Sequence, residues 1–593
     1  MFLPTSAKEI KALGWNYIDV ILFSGDAYID HPSFGAAVIG RSLEAAGYRV
    51  AIVPQPNWQD DLRDFKKFGA PRLFFGVSAG AMDSTVMHYT PTRRLRSSDA
   101  YTPGGRHGAR PDYPTVVYSK ILRELYPDSV IIAGGIEASL RRLTHYDYLQ
   151  DRLIGSFAEV CNVDGLIYGM GEVAIVDIAR KIERKKEWRD TPQVAFYTEN
   201  CDEFREDNAI VLHSREECEK SKEKFGENFV EIERQSNMIT AQQLIEPCSR
   251  GGVVVNAPYP IFSVKQCDET FELPYMRQPA PRYKGKVITA WDMIKHSVNI
   301  HRGCYGGCSF CAISMHQGKH IASRSVESIE REVLRIVESE DFRGTISDIG
   351  GPSANMWMTG GKNVEACEKC CRASCLAPRR CPNLRGEDEK LMKLYRRIQS
   401  IAGVKHLFIG SGIRYDLIDY SSGYFEKVVK EHTSGRLKVA PEHTEDHVVE
   451  LMRKPQWGEY QRMTKEFENI CAKHRLPYVI VPYFISAHPG CSEADMRALK
   501  AKTKGVRTDQ VQDFTPTPMT LSSVMYYTGI DPYTKRRVYV ARSKEDKDAQ
   551  KSYFFESFKA QSQRGGKPQR GGYKQPYKTN VKKYGDKKSG KKF

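Results

Sequence analysis

The 593-residue chain has no long apolar run. Nothing in it approaches the 18 or so consecutive apolar residues that a bilayer-spanning helix requires, so no membrane partner is expected. Its opening, Met1-Phe2-Leu3-Pro4-Thr5-Ser6-Ala7-Lys8-Glu9-Ile10, lacks a charged leader followed by a greasy stretch. That argues against secretion and for a cytoplasmic enzyme. The 15 cysteines lack the even spread of a disulfide framework and fall in clusters instead. Clustered thiols without a secretory leader point to metal binding in a reducing compartment. At 40% hydrophobic, the chain still has core material for about two or three domains.

The first thiol group is His301-Arg302-Gly303-Cys304-Tyr305-Gly306-Gly307-Cys308-Ser309-Phe310-Cys311. It holds three cysteines, where a cubane iron–sulfur cluster fully ligated by protein needs four. One iron would then be left for a small molecule. Gly303, Gly306 and Gly307 let the loop fold tightly enough for the sulfurs to approach one another. Just upstream, Ser297–His301 reads as a short strand that ends in this loop. A zinc knuckle with His301 or His316 as fourth ligand is the competing reading, and inert buried cysteines a third. The paired half-site usual for structural zinc is missing at the usual distance.

Downstream, apolar runs alternate with helical patterns over 286–515. Thr345–Ile349 ends in Gly350-Gly351-Pro352, and later strands are expected at 406–410, 436–440, 478–482 and 511–514. Between them, Ser325–Ser339 places Val326, Ile329, Val333, Ile336 and Val337 on one helical face. Further helices are expected near 387–400, 424–433, 457–474 and 491–503. Strand–helix alternation implies a parallel sheet with right-handed crossovers. In such sheets ligands gather at the C-terminal strand ends.

The Cys-x3-Cys-x2-Cys spacing, with an aromatic before the last cysteine, resembles the radical SAM superfamily. Longer strings narrow the match: Gly350-Gly351-Pro352-Ser353-Ala354-Asn355-Met356, Lys438-Val-Ala-Pro-Glu442-His443, Val511–Pro518 and Met525–Pro532. These resemble the YgiQ family from about residue 1 to 550. The resemblance implies a partial (β/α)6 TIM-like barrel and a [4Fe-4S] cluster held by Cys304, Cys308 and Cys311. S-adenosylmethionine would chelate the vacant iron and be cleaved reductively to methionine and a 5′-deoxyadenosyl radical. A reducing electron donor such as flavodoxin or ferredoxin is implied as partner. Phe310 matches the family's aromatic beside the adenine. Gly350-Gly351 stands where the family has Gly-Gly-Glu, with Pro352 in place of the acid. Ser411, Arg414 and Glu442 fall where the ribose or methionine carboxylate would be held, although each could equally be a turn or surface ion pair. The family's reaction is not established, so the resemblance supplies a mechanism class and no substrate.

Residues 1–195 read as a flavodoxin/Rossmann-like domain, with short apolar runs at 16–23, 48–53, 73–77 and 129–133. Gly134-Gly135-Ile136-Glu137 and Gly169-Met170-Gly171-Glu172 end strands facing one crevice, a pattern that resembles cobalamin-binding domains. Those that ligate cobalt use His in Asp-x-His-x-x-Gly, whereas this chain has Asp30-His31-Pro32-Ser33-Phe34-Gly35. Cobalamin is therefore not expected. The arginine- and tyrosine-rich stretch 86–113 reads as a lid for an anionic substrate or as a solvated loop. Residues 196–285 read as a connecting region and 516–560 as a C-terminal extension.

A second thiol group, Cys367, Cys370, Cys371, Cys375 and Cys381, follows the Gly-Gly-Pro strand. Zinc and an auxiliary iron–sulfur cluster both suit it, as do free or reversibly oxidised thiols. Which four of the five would ligate is open. Residues 561–593 carry nine lysines and two arginines against Asp586, which is +10 of the total +16. So basic and apolar-poor a tail is expected to be disordered, and it suits either nonspecific RNA contact or simple solubility. The leading expectation is a radical SAM enzyme. Its alternatives are a methylthiotransferase-like RNA-modifying enzyme, for which no RNA-binding β-barrel is legible, and an iron–sulfur sensor that does not turn over.

Overall fold

The computed structural model describes residues 1–504 and 510–562. The expected disordered tail lies, from residue 563 on, outside the described residues. Strands β1 (Val20–Ser24), β2 (Val50–Pro54), β3 (Phe74–Ser78), β4 (Val130–Gly134) and β5 (Gly165–Ile167) are parallel. Their order is β2-β1-β3-β4-β5, the flavodoxin arrangement. Alternate residues feed two separate cores. Leu22 and Ile52 pack with Leu43, Ile175 and Ile178 on one face, while Ile21 and Phe23 pack with Tyr118 and Leu122 on the other. Burial on both faces is why these strands read as unbroken apolar runs.

The sheet does not stop at the expected boundary near residue 195. β6 (Val194–Thr198), β7 (Ile210–Val211), β8 (Leu244–Cys248) and β9 (Gly251–Val255) continue it, in the order β5-β6-β9-β8-β7. Part of the expected connecting region thus belongs to a nine-stranded mixed sheet. Gly251 shows why the hairpin forms there: its φ is +130°, and a Cβ would strike the Thr198 carbonyl. The basic stretch 86–113 is likewise more structural than expected. Arg110 is buried, with Nε 2.8 Å from Asp99 and Nη1 2.8 Å from Asp26.

All six expected C-terminal runs are extended and pair in parallel. They are β10 (Ser297–Asn299), the broken run β11 (Thr345–Ile346) and β12 (Asp348–Gly350), β13 (His406–Leu407), β14 (Arg436–Glu442), β15 (Val479–Ser486) and β16 (Gln510–Asp513). Among the described residues they make three ladders: β10 with β12, β11 with β13, and β14-β15-β16. The ladder breaks after β13, where the Ile409 N–H donates to the His432 carbonyl rather than to β14. The helix Val326–Val337 presents Ile329, Val333 and Ile336 to the core beneath these strands, as its spacing predicts. The chain is thus a mixed α/β fold built on a large, mainly parallel sheet.

Two buried ion-pair systems fix β10, which leads into the cysteine loop. Glu332 on the helix Val326–Val337 takes one oxygen to Arg324 and the other to Arg277. Arg277 also donates to the Lys295 and Ser297 carbonyls, and Arg324 to the Asn299 carbonyl. Arg302, three residues past β10, pairs with buried Glu172 at the end of β5. The two halves are therefore locked at the loop itself. Glu332→Ala would leave two guanidiniums facing each other without their anion. It is expected to cost about 3–5 kcal/mol, read by urea denaturation followed by circular dichroism.

Candidate metal centre

The loop Gly303–Cys311 owes its shape to its glycines. Gly303 and Gly307 have φ of +86° and +58°, and a Cβ on them would strike the His320 and Ala373 carbonyls. Gly306 serves differently: a Cβ there would lie 2.8 Å from Arg414 Nη1 and 3.3 Å from Cys304 Sγ. Cys304, Cys308 and Cys311 lie within electrostatic reach of one another. Burial pushes the Cys304 and Cys311 thiols up, Cys311 to about 12, and the neighbouring Cys308 adds to both. Neutral thiols are thus the stable form until a cation shares the site.

That neighbourhood is built from distant stretches. Arg414 Nη1 lies 3.3 Å from Cys308 Sγ. Its Nε and Nη2 grip Asp416 at 2.9 and 2.7 Å. Burial and then the Arg414 charge act on Asp416 in opposite senses; Arg414 prevails, and its carboxyl stays below the usual range. Asn355 clamps the Arg414 backbone from both sides, accepting from its N–H at 3.0 Å and donating to its carbonyl at 2.9 Å. Glu442 ends β14 at φ +67° after a register shift. It is buried, with Lys454 Nζ 3.5 Å away. A left-handed glutamate is strained, and such strain gathers at functional sites. Burial pushes its pKa up, and Lys454 and Arg414 offset this only in part.

Gly350 and Gly351 are required by their neighbours. A Cβ on Gly350 would strike Ser411 Oγ, and one on Gly351 would lie 2.5 Å from the His301 ring. Ser411 is engaged with its own fold: its hydroxyl donates to Asp348 Oδ2 at 2.6 Å, while Asp348 Oδ1 accepts from the Gly410 and Ser411 N–H groups. His301 is fully buried, neither ring nitrogen has a hydrogen-bond partner among the described residues, and burial holds its pKa down to about 3. Phe310 lies edge-on to His488 at 6.2 Å and packs near Ile485. The C-terminal extension closes the loop, since the Ser522 N–H and hydroxyl both bond Ser309. Asp348, Asn355, Lys454, Asp416 and Ser522 carry no sequence signature for these roles and were not singled out from the sequence.

Neither imidazole proposed for zinc serves it here. His316 Nδ1 bonds Ser139 Oγ at 3.1 Å, and His301 faces Gly351. Among the described residues no three His, Cys, Asp or Glu converge as a single-ion site. One ion needs every sulfur about 2.3 Å from a common centre, whereas a cubane takes each on a different iron. Behind the loop, a cavity of about 160 Å³ lies between Tyr168-Gly169-Met170 and residues 314–320. Buried Arg142 lines it without a carboxylate partner among the described residues, donating only to Ser139 and Ser236. In the second thiol group, Cys371 is exposed and the other four are partly buried.

Residues 2–297 match the family model described as Radical SAM N-terminal, and 509–557 match a domain of unknown function, DUF3362. A UPF0313 protein of Porphyromonas gingivalis is 53% identical over 575 residues, covering 93% of this chain and 90% of that one. A UPF0313 protein of Bacteroides thetaiotaomicron is 50% identical over 580 residues, covering 93% and 94%. In fold, the chain is similar to the radical S-adenosylmethionine methyltransferase TsrM of Kitasatospora setae. The TM-score is 0.51 at 13% identity, with 91% of each chain covered. The protein is therefore a radical SAM enzyme. It belongs to the UPF0313 family, the YgiQ-like group to which its motifs pointed.

One expectation is corrected. The TsrM structure was solved with cobalamin and a [4Fe-4S] cluster bound, so this fold accommodates both. The unmatched Asp-x-His-x-x-Gly motif does not exclude cobalamin. His31, its nearest counterpart, is buried; its Nδ1 accepts from the Ser33 N–H, and its Nε2 has no partner among the described residues.

The Gly351–His301 contact gives a test. Gly351→Ala overpacks this spot and is expected to cost about 1–3 kcal/mol. His301→Ala in the same chain should recover part of it, so a double-mutant cycle by thermal denaturation should be clearly non-additive.

Proposed function

We propose that Cys304, Cys308 and Cys311 hold a [4Fe-4S] cluster whose remaining iron binds S-adenosylmethionine, and that the enzyme initiates hydrogen abstraction on its substrate. The three-thiol loop with Arg414 beside Cys308 carries this reading, because it gathers three soft ligands and supplies a compensating cation. When bound, the cluster supplies one electron that splits the sulfonium into methionine and a 5′-deoxyadenosyl radical. The protein's part is to position and to exclude water. Arg414, fixed by Asn355 and Asp416, offers its charge at the cluster edge. Gly350 and Gly351 bring bare backbone to the strand end, and buried Glu442, with Lys454 beside it, lies within electrostatic reach of Cys311. Phe310, the residue before Cys311, is the one we read as packing on the adenine. We read β10–β16 as the partial (β/α)6 barrel around this centre.

A cytoplasmic setting with a flavodoxin- or ferredoxin-type donor fits the chemistry. No helix among the described residues is long and apolar enough to cross a membrane. RNA contact through the basic tail remains a proposal drawn from its composition alone.

Anaerobic reconstitution with iron and sulfide, then dithionite and S-adenosylmethionine, is expected to yield 5′-deoxyadenosine and methionine. Cys308→Ala should reduce both to background with the circular dichroism spectrum unchanged. Wild-type protein that binds the cluster but forms no 5′-deoxyadenosine would mark a sensor instead. A parallel reconstitution with hydroxocobalamin, read by its absorption after desalting, tests whether cobalamin joins the set.

A further inference from the structure

The second thiol group is folded against the first. The Cys375 N–H donates to the Tyr305 carbonyl at 3.0 Å, and Ser374 Oγ donates to the Gly306 carbonyl at 2.7 Å. A Cβ on Gly307 would strike the Ala373 carbonyl, so this loop glycine exists to admit the second segment. Cys304, Cys375 and Cys381 border one small apolar cluster around Tyr305, Leu376 and Leu384.

Four of the five thiols share a setting that the fifth does not. Cys367 and Cys370 close a turn through the Cys370 N–H and the Cys367 carbonyl at 3.1 Å, and the Cys381 N–H meets the Cys375 carbonyl at 2.7 Å. Asn383 Nδ2 donates to Cys367 Sγ at 3.3 Å. Lys319 Nζ lies 3.9 Å from Cys370 Sγ and 2.6 Å from the Arg372 carbonyl. Cys371 alone is exposed.

Lys319 brings a buried charge to this group. It is 2% exposed and has no carboxylate partner among the described residues. Burying an ammonium without an anion is costly. Neutral thiols do not supply one, whereas thiolates on a metal cluster do. Cys367 and Cys375 each lie within electrostatic reach of Cys370, Cys381 and Lys319, so the four sulfurs share the ammonium's neighbourhood, and four thiolates are what a cubane held wholly by protein requires.

We propose that Cys367, Cys370, Cys375 and Cys381 ligate a second, fully protein-held [4Fe-4S] cluster, with Lys319 as its buried counter-cation and Cys371 outside the ligand set. The site adjoins the first cluster loop but does not depend on it, so the two assignments fail separately.

The test counts metal and acid-labile sulfide on full-length, anaerobically reconstituted protein. About eight irons and eight sulfides per chain are expected, as two cubanes require. The triple variant Cys304→Ala/Cys308→Ala/Cys311→Ala should keep about four, and so should Cys375→Ser/Cys381→Ser. Cys371→Ser should keep all of them. Lys319→Met should shift one cluster signal to more negative potential in an electron paramagnetic resonance redox titration. Four irons with one zinc that is lost in Cys375→Ser/Cys381→Ser, four irons with no second metal, or loss of iron in Cys371→Ser would each overturn the assignment.

Discussion

The cysteine loop cannot hold its own shape. It has no helix or ladder within it, and contacts from elsewhere hold much of its backbone. The buried Arg302–Glu172 pair anchors its start to the end of β5 in the N-terminal sheet. The Cys304 N–H meets the Gly318 carbonyl, the Ser309 N–H meets the Met452 carbonyl, and Ser522 holds Ser309 from the C-terminal extension. Residues from 172 to 522 therefore converge on nine residues. Such a loop is held in place before any ligand arrives, as a site on a rigid scaffold needs to be.

Charge is arranged with the same economy. Arg414, Asp416, Glu442 and Lys454 are all buried or nearly so, and the four form alternating contacts beside the thiols. Each buried charge has a partner, which is the condition under which burial is tolerable. Among the described residues, Arg414 is also the one cation in contact with a triad sulfur. An anionic cluster on the three thiolates would have a guanidinium directly against one of its ligands, in a low-dielectric setting where unpaired charge is costly.

Much of this was legible in the sequence, and the limits were physical. The triad declares itself because three cysteines with three glycines in nine residues have few other uses. The parallel strands of the flavodoxin half read clearly, since burial on both faces leaves uninterrupted apolar runs. β6 to β9 were missed because β7 is only two residues long and the β8–β9 hairpin turns through Cys248-Ser249-Arg250-Gly251, which reads as linker. The stretch 86–113 read as a lid or a solvated loop because sequence cannot show that Asp26 and Asp99, 84 and 11 positions away, neutralise its Arg110. The argument against cobalamin failed for a related reason: a missing ligand motif speaks to one mode of binding and not to the fold.

The replacement of the family's acid by Pro352 can be followed through the structure. The nearest carboxylate on that strand, Asp348, has both oxygens engaged by Gly410 and Ser411. It braces β12 against the turn after β13 and has little capacity left for a ligand. The Gly350 carbonyl is also used, accepting from the Ile300 N–H at 2.8 Å. Glu442 is different. It is buried within electrostatic reach of Cys311, its Lys454 contact is long at 3.5 Å, and it is held in a left-handed conformation that only surrounding structure can impose. Unlike Asp348 and Asp416, it has unspent hydrogen-bonding capacity. Its carboxylate is supplied by a different strand from the one the motif would suggest.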